Sequence, residues 1–327
     1  MKLARRVCLS LGIVVTGSLA WLSPAPADDS VAGMPQSSAR AADPAYLTLL
    51  FGRTQWEQRD STCTTILPGS ITLGQVAQEL QRRGLTGVGI VITSWTSSST
   101  RTCRGRLVYP TWGDLASLRD GYGWIMVSGG VSHADMTKLT ATQQRQESCG
   151  SLPAFADRGH ARATGLFAYG NNKYTTKIQT DVVGTCFAYG RTYGGGLNLR
   201  SRMTAPWFQS TVSYNGGACN DLSRACADTS SHGGRRYALP SDVAVRMQPT
   251  AGQWSAVQFY RFVTGRRDDP ADPSFAWDCT ATDPRQHWST RAEIYCWEDY
   301  KTALDAIPAG VTVTDPLTVA NAWGRTP

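Results

Sequence analysis

The chain has 327 residues, of which 41% are hydrophobic and 17% charged, with a formal net charge of +7. Basic charge comes from 27 arginines against 5 lysines and is scattered, with doublets at Arg82-Arg83, Arg235-Arg236 and Arg266-Arg267. There is no continuous basic stripe, which argues against a nucleic-acid partner.

Residues 1–27 read as a secretion signal. Lys2, Arg5 and Arg6 open it, an apolar run covers Val7 to Leu22, and Ala25-Pro26-Ala27 supplies the small residues of a cleavage site. An uncleaved anchor is the other reading, although a run of about 16 apolar residues is short for a spanning helix. Cleavage starts the mature chain at Asp28 and, by removing those three basic residues and no acid, takes the net charge from +7 to +4. No later segment approaches membrane-spanning length. Residues 28–44, rich in Ser, Ala, Pro and Asp, read as a flexible lead-in.

From Ala45 the chain alternates short apolar runs with helical patterns, the signature of an α/β domain with a largely parallel sheet. Tyr46–Phe51 is predicted as the first strand. Thr72–Arg83 is predicted as a helix with Leu73, Val76, Ala77 and Leu80 on one face and Gly84 beyond its end. Strands follow at Val88–Thr93 and Trp124–Val127, with a helix at Trp112–Arg119 between them, burying Leu115 and Leu118. Thr140 and Gln143 have capping-box spacing for a helix to about Cys149. Leu166–Tyr169 reads as a strand, Lys177–Val183 as a helix and Cys186–Tyr189 as a strand. The Gly, Ser and Asn rich region 194–242 reads as a pinned loop. Ala256–Val263 is predicted as a late strand, and Arg291–Ile307 as a closing helix that buries Ile294, Trp297 and Leu304. The domain is expected to span residues 45–307, leaving 308–327 as a C-terminal tail.

Eight cysteines remain beyond the signal, an even count that favours disulfides in an exported chain. They allow 105 pairings. Joining sequence neighbours couples Cys63 with Cys103, Cys149 with Cys186, Cys219 with Cys226, and Cys279 with Cys296. A zinc cluster is disfavoured because no Cys-x-x-Cys pair is present. A serine-esterase elbow is also missing, and Gly194-Gly-Gly196 lacks a nucleotide-binding pattern.

Gly123 to Asn172 carries the chemistry-bearing motif Val127-Ser-Gly-Gly-Val-Ser-His133-Ala-Asp-Met-Thr-Lys-Leu139, then a helix with Glu147 and the strand Leu166-Phe-Ala-Tyr169 with its Asn-Asn-Lys-Tyr loop. With the strand ending at Phe51, this ordered set resembles the polysaccharide deacetylases over roughly Ala45 to Phe262. The resemblance implies a distorted (β/α) barrel. It also implies a carbohydrate esterase in which one aspartate and two histidines hold a divalent ion, usually zinc, that polarises an acetyl carbonyl and activates water.

Several of the implied residues differ here. Where the family has Thr-Phe-Asp-Asp, this chain has Leu50-Phe51-Gly52-Arg53, so neither the base nor the aspartate ligand is present. Gly129 stands at the first histidine and His133 at the second. The Arg-x-Pro element becomes Ala168-Tyr169-Gly170, and Tyr260 aligns with the late histidine acid, a poor replacement at neutral pH for a phenol of ordinary pKa. His133 is thus the single retained family ligand, no bound metal is expected, and zinc enters only if the site is intact.

Candidate catalytic residues are His133, Asp135 and Tyr260, with Glu147 a further acid in a rebuilt site. Against that stands a bland alternative, in which Asp135 caps the next turn and Glu147 is a solvated helix residue. Candidate sugar-stacking residues are Trp56, Tyr169 and Trp288. His160 reads as a surface-turn residue, and His232 and His287 carry no ligand spacing. The expected function is engagement of cell-wall or extracellular polysaccharide by an exported protein without the family's metal chemistry. The alternatives are a hydrolase of acetyl groups through a divergent site around His133, and a structural envelope protein.

Overall fold

The computed structural model describes residues 43–52, 57–58, 66–96, 103–104, 107–192, 197–202, 209–210, 212–215, 218–219, 239–268, 276–289 and 294–324. Residues 1–27, expected to be a secretion signal, and nearly all of the expected lead-in lie outside them.

Among the described residues, eleven strands form one sheet. They are β1 (Ala45–Phe51), β2 (Val88–Val91), β3 (Ile125–Ser128), β4 (Phe167–Ala168), β5 (Gly190–Thr192), β6 (Asn198–Leu199), β7 (Gln209–Ser210), β8 (Val212–Asn215), β9 (Ala218–Cys219), β10 (Gln253–Phe259) and β11 (Val311–Val313). The order is β7-β5-β4-β3-β2-β1-β10-β8-β9, with β11 paired to β1 and β6 to β10. All pairings are parallel except β6 with β10 and β8 with β9. The curled, mostly parallel sheet is the α/β barrel-like architecture expected from the sequence.

β1 sits between β2 and β10 and is buried along its whole length. Its alternating side chains separate two cores. Leu47, Leu49 and Phe51 pack with helices α1 (Leu73–Arg82), α2 (Trp112–Tyr122) and α7 (Trp297–Asp305). Tyr46 and Leu50 turn to the concave side, with Ile90, Val127, Ala168 and Trp254. The helices start where their caps dictate. Thr72 with Gln75, Thr111 with Asp114, and Thr140 with Gln143 form reciprocal capping boxes, the last opening α3 (Ala141–Glu147), which α4 (Leu152–Ala156) and α5 (Thr176–Asp181) follow.

Several expectations are corrected. The strand predicted at 186–189 forms at Gly190–Thr192, after a short turn through Cys186. Ile294 is buried, but on a strand, Ile294–Cys296, parallel to Arg261–Val263; the helix begins only at Trp297. Its β-favouring Ile-Tyr-Cys triplet explains the late start. Arg261–Val263 itself belongs to a separate small sheet, so the late strand is two. The region 194–242, read as a loop, contributes β6 to β9 and the start of α6 (Pro240–Arg246).

Residues 308–324, expected as a C-terminal tail, join the sheet and its core. β11 pairs with β1, and α8 (Pro316–Ala322) brings Val319, Ala320 and the following Trp323 into the concave core. Asp315 caps α8, and the Trp323 ring meets the edges of Tyr46 and Trp254 at 6.3 and 6.0 Å. Thr48 locks this end by donating to Thr314 O (2.8 Å) and accepting from Trp254 Nε1 (3.0 Å).

Cys149–Cys186 and Cys279–Cys296 are bonded as expected. Each constrains the unfolded chain by about 2 to 4 kcal/mol. Cys63 and Cys226 lie outside the described residues, as do the side chains of Cys103 and Cys219.

His160, expected in a surface turn, is buried between Trp112 and Phe155. Burial, with the nearby Arg119, lowers its pKa to about 4. The unfolded chain therefore takes up a proton near pH 6.5 that the folded one refuses, so stability is full above that pH and falls on acidification towards pH 4. At pH 5 the loss from this group is about 2 kcal/mol. Urea midpoints at pH 7 and pH 5 are expected to differ less in His160→Phe than in the wild type; equal differences would contradict this assignment.

Candidate functional site

In a parallel barrel the loops after the strands gather at one end, and the residue following each strand points there. Two residues beyond Leu50, Val127 and Ala168, on the same concave parity, stand Gly52, Gly129 and Gly170. Each is closely covered. A Cβ at Gly52 would collide with Gln258 Nε2 and the Tyr260 ring, and one at Gly170 with the carbonyl oxygens of His133 and Ala134. At Gly129 it would press on Ile90 and Ile92 at 3.0 and 3.1 Å.

Gln258 is fully buried on β10, and its Oε1 accepts from the buried Arg191 of β5. A guanidinium can only donate, so the amide orientation is determined and Nε2 is the end turned to Gly52. That Nε2 makes no hydrogen bond. The mouth therefore contains a permanently charged guanidinium. Tyr260 follows β10 and is buried against Gly52.

The loop after β3 is held from beneath. Glu147, at the end of α3, accepts from Ser132 N (3.0 and 3.1 Å), Ser132 Oγ (2.8 Å) and Ala134 N (3.2 Å), and its own carbonyl accepts from Val131 N (2.9 Å). Glu147 is buried, which corrects the reading of it as a solvated helix residue. Its oxygens are committed to the loop. The clamp supports an uncommon backbone, with His133 at φ 64° after Gly130 at φ 91°. The His133 ring, half-buried, lies 5.5 Å from the ring of Trp95, which in turn lies 4.9 Å from Tyr109.

Asp135 caps the turn Met136–Lys138, accepting from Thr137 N (3.0 Å) and Thr137 Oγ1 (2.6 Å). The Thr137 hydroxyl, together with its amide and Lys138, holds the Asp135 carboxyl below its ordinary pKa. His133 and Asp135 thus share the loop after β3, while Tyr260 stands by Gly52.

Tyr169 is fully buried, stacked on Tyr174 at 4.9 Å, and burial raises its hydroxyl pKa. Its ring has no open face for a sugar, which corrects its reading as a stacking residue. Trp56, Arg53 and His232 lie outside the described residues, as does the side chain of Trp288.

Trp95 was missed by sequence reasoning. It is half-buried in a short turn after β2, and its place just beyond a barrel strand was the available signal. Arg191 was missed because its strand was placed too early.

Solved structures similar to this chain include polysaccharide deacetylases and a carbohydrate esterase. A polysaccharide deacetylase from Bacillus cereus matches at 15% identity and TM-score 0.32, over 38% of this chain and 37% of its own. The Xyl-CE4 domain of a multidomain xylanase from the hindgut metagenome of Trinervitermes trinervoides matches at 11% identity and TM-score 0.45, over 87% of this chain and 94% of its own. The chitin deacetylase from the fungal pathogen Colletotrichum lindemuthianum matches at 10% identity and TM-score 0.43, over 87% and 90%. No family model matches the chain, and no curated protein matches its sequence.

Losing the Glu147 clamp should loosen this wall without unfolding the barrel. Glu147→Gln, which replaces one acceptor by a donor facing backbone N–H groups, is expected to cost about 2 kcal/mol. Faster amide hydrogen exchange at Ser132 and Ala134 should accompany it, with β1 and β10 unchanged; uniform exchange across the chain would contradict a local clamp.

Proposed function

We propose that this is an exported glycan-engaging protein built on a deacetylase-like barrel, acting at the mouth without the metal chemistry of that family. The observation that carries the reading is the covering of Gly52 and Gly129. The positions aligned with the base and the first histidine lack side chains, and the space a side chain would enter is filled by Gln258, Tyr260, Ile90 and Ile92.

Divalent-ion binding needs several converging donors with an open position. Among the described residues the mouth offers one imidazole, His133, a carboxylate already capping a turn, Asp135, and the buried cation Arg191. These residues do not fit the ion. What the mouth does offer is a half-buried indole, Trp95, beside an imidazole on a clamped loop. Aromatic faces of this kind stack on the apolar C–H faces of sugar rings. Export is supported by the N-terminal signal pattern and by the two disulfides. Among the described residues no helix is long and apolar enough to cross a membrane.

The left-handed backbone of His133 favours a second reading, hydrolysis of an acetylated sugar through that imidazole, since strained residues gather at functional sites. Calorimetric titration of the oxidised protein with soluble N-acetylated oligosaccharides separates the two. Saturable binding, weakened at least about tenfold (1.4 kcal/mol) in Trp95→Ala, is expected. About one zinc per chain that disappears in His133→Ala, together with acetate release, would replace this reading with the hydrolase. No saturable binding would leave a structural envelope role.

A further inference from the structure

A second cluster of chemically competent groups lies away from the residues of the mouth. His287 and Asp299 are both buried, 4% and 3% exposed, with Nδ1 and Oδ2 2.8 Å apart. The other ring nitrogen, Nε2, is 2.8 Å from Ala281 O. A carbonyl can only accept, so Nε2 carries a proton, and Nδ1 is the atom turned to the carboxylate. Cys296 is the third member: one ligand atom from each of His287, Cys296 and Asp299 lies within 4.8 Å of the others. Cys296 is bonded to Cys279, so a second sulfur stands beside the first.

Packing alone does not call for a buried histidine–carboxylate pair, since two apolar residues of similar volume are often as stable. Its atoms lie close to the separation of a ligand pair. Zinc binds nitrogen and oxygen at about 2.0 to 2.2 Å, which places two ligands of a tetrahedral site about 3.4 Å apart, so Nδ1 and Oδ2 separate by about 0.6 Å when an ion takes the place of the proton between them. A ligating histidine commonly donates its remote N–H to a backbone carbonyl, as Nε2 does to Ala281. The nearby Asp278 carboxylate adds negative charge facing His287.

We propose that opening the Cys279–Cys296 disulfide creates a four-coordinate site for a thiophilic divalent ion such as Zn²⁺, from Cys279 Sγ, Cys296 Sγ, His287 Nδ1 and Asp299 Oδ2. A dithiol reductant supplies the two electrons. Its own sulfurs close into a cyclic disulfide as the protein's S–S bond opens into two thiols. The ion then displaces both thiol protons and the proton held between Nδ1 and Oδ2, all three passing to solvent. The ion restores the cross-link that reduction removed, joining the segment at 279 to the strand that leads into α7.

The test uses the full wild-type chain, reduced with dithiothreitol, desalted under argon and divided with or without Zn²⁺. Alkylation by iodoacetamide is then followed peptide by peptide. Zn²⁺ is expected to slow modification of Cys279 and Cys296 at least about tenfold, with about one zinc retained per chain, and to leave Cys149 and Cys186 unaffected. His287→Gln should remove the protection. Equal alkylation of Cys279 and Cys296 with and without Zn²⁺ overturns the site in the wild type alone, whatever the variant does. Loss of the fold on reduction, read by circular dichroism, overturns it as well.

Discussion

The fold depends on β1 being buried on both faces. A strand whose neighbours are β2 on one edge and β10 on the other, with helices outside and a packed concave side within, has no solvent-facing register. A slip of one residue would exchange Leu47, Leu49 and Phe51 with Tyr46, Thr48 and Leu50, putting the Thr48 hydroxyl beneath the helices and away from Thr314 and Trp254. The hydrogen bonds of Thr48 act as a polar key in an otherwise apolar strand.

That register decides what stands at the mouth. With parity set by Leu50, Val127 and Ala168, the residues two positions later must face the mouth, whatever they are. Three of the strand ends carry glycine, and the polypeptide around them has moved into the volume that side chains would occupy. The glycine positions are thus covered by backbone and by Gln258, Tyr260, Ile90 and Ile92, with the Arg191 guanidinium bonded to Gln258. A single substitution at Gly52 would therefore meet packed atoms and not a vacant ligand position.

The parts legible in sequence are those set by local chemistry. Thr72-x-x-Gln75 and Thr140-x-x-Gln143 announce helix starts by donors and acceptors a turn apart, and Leu73, Val76, Ala77 and Leu80 announce the buried face by their spacing. The unreadable parts are those whose sign depends on distant partners. Nothing near Glu147 says that its oxygens serve Ser132 and Ala134, fifteen and thirteen residues back in the chain. Ile294 has the helical spacing of Trp297 and Leu304 as well as a β-favouring side chain, and only the neighbouring Arg261–Val263 decides between them. Tyr169 resembles a binding aromatic in composition, and only the folded packing buries it. The final twenty residues did carry a signal, since Asp315-Pro316 is a helix start and Val319 and Trp323 are one turn apart.

His133 is the residue at which backbone and side-chain reasons can be separated. A left-handed conformation costs a residue with a Cβ roughly 1 to 2 kcal/mol relative to glycine. Glu147 offsets this by binding the amides on either side, so the loop would keep its path, and keep it more cheaply, with glycine at 133. The backbone therefore gives no reason for a histidine. Its reason lies in the ring, which meets Trp95. A capping role is weakened further because the loop's amides are already served by Glu147. His133 and Trp95 thus meet through their rings, on a loop whose path Glu147 already fixes.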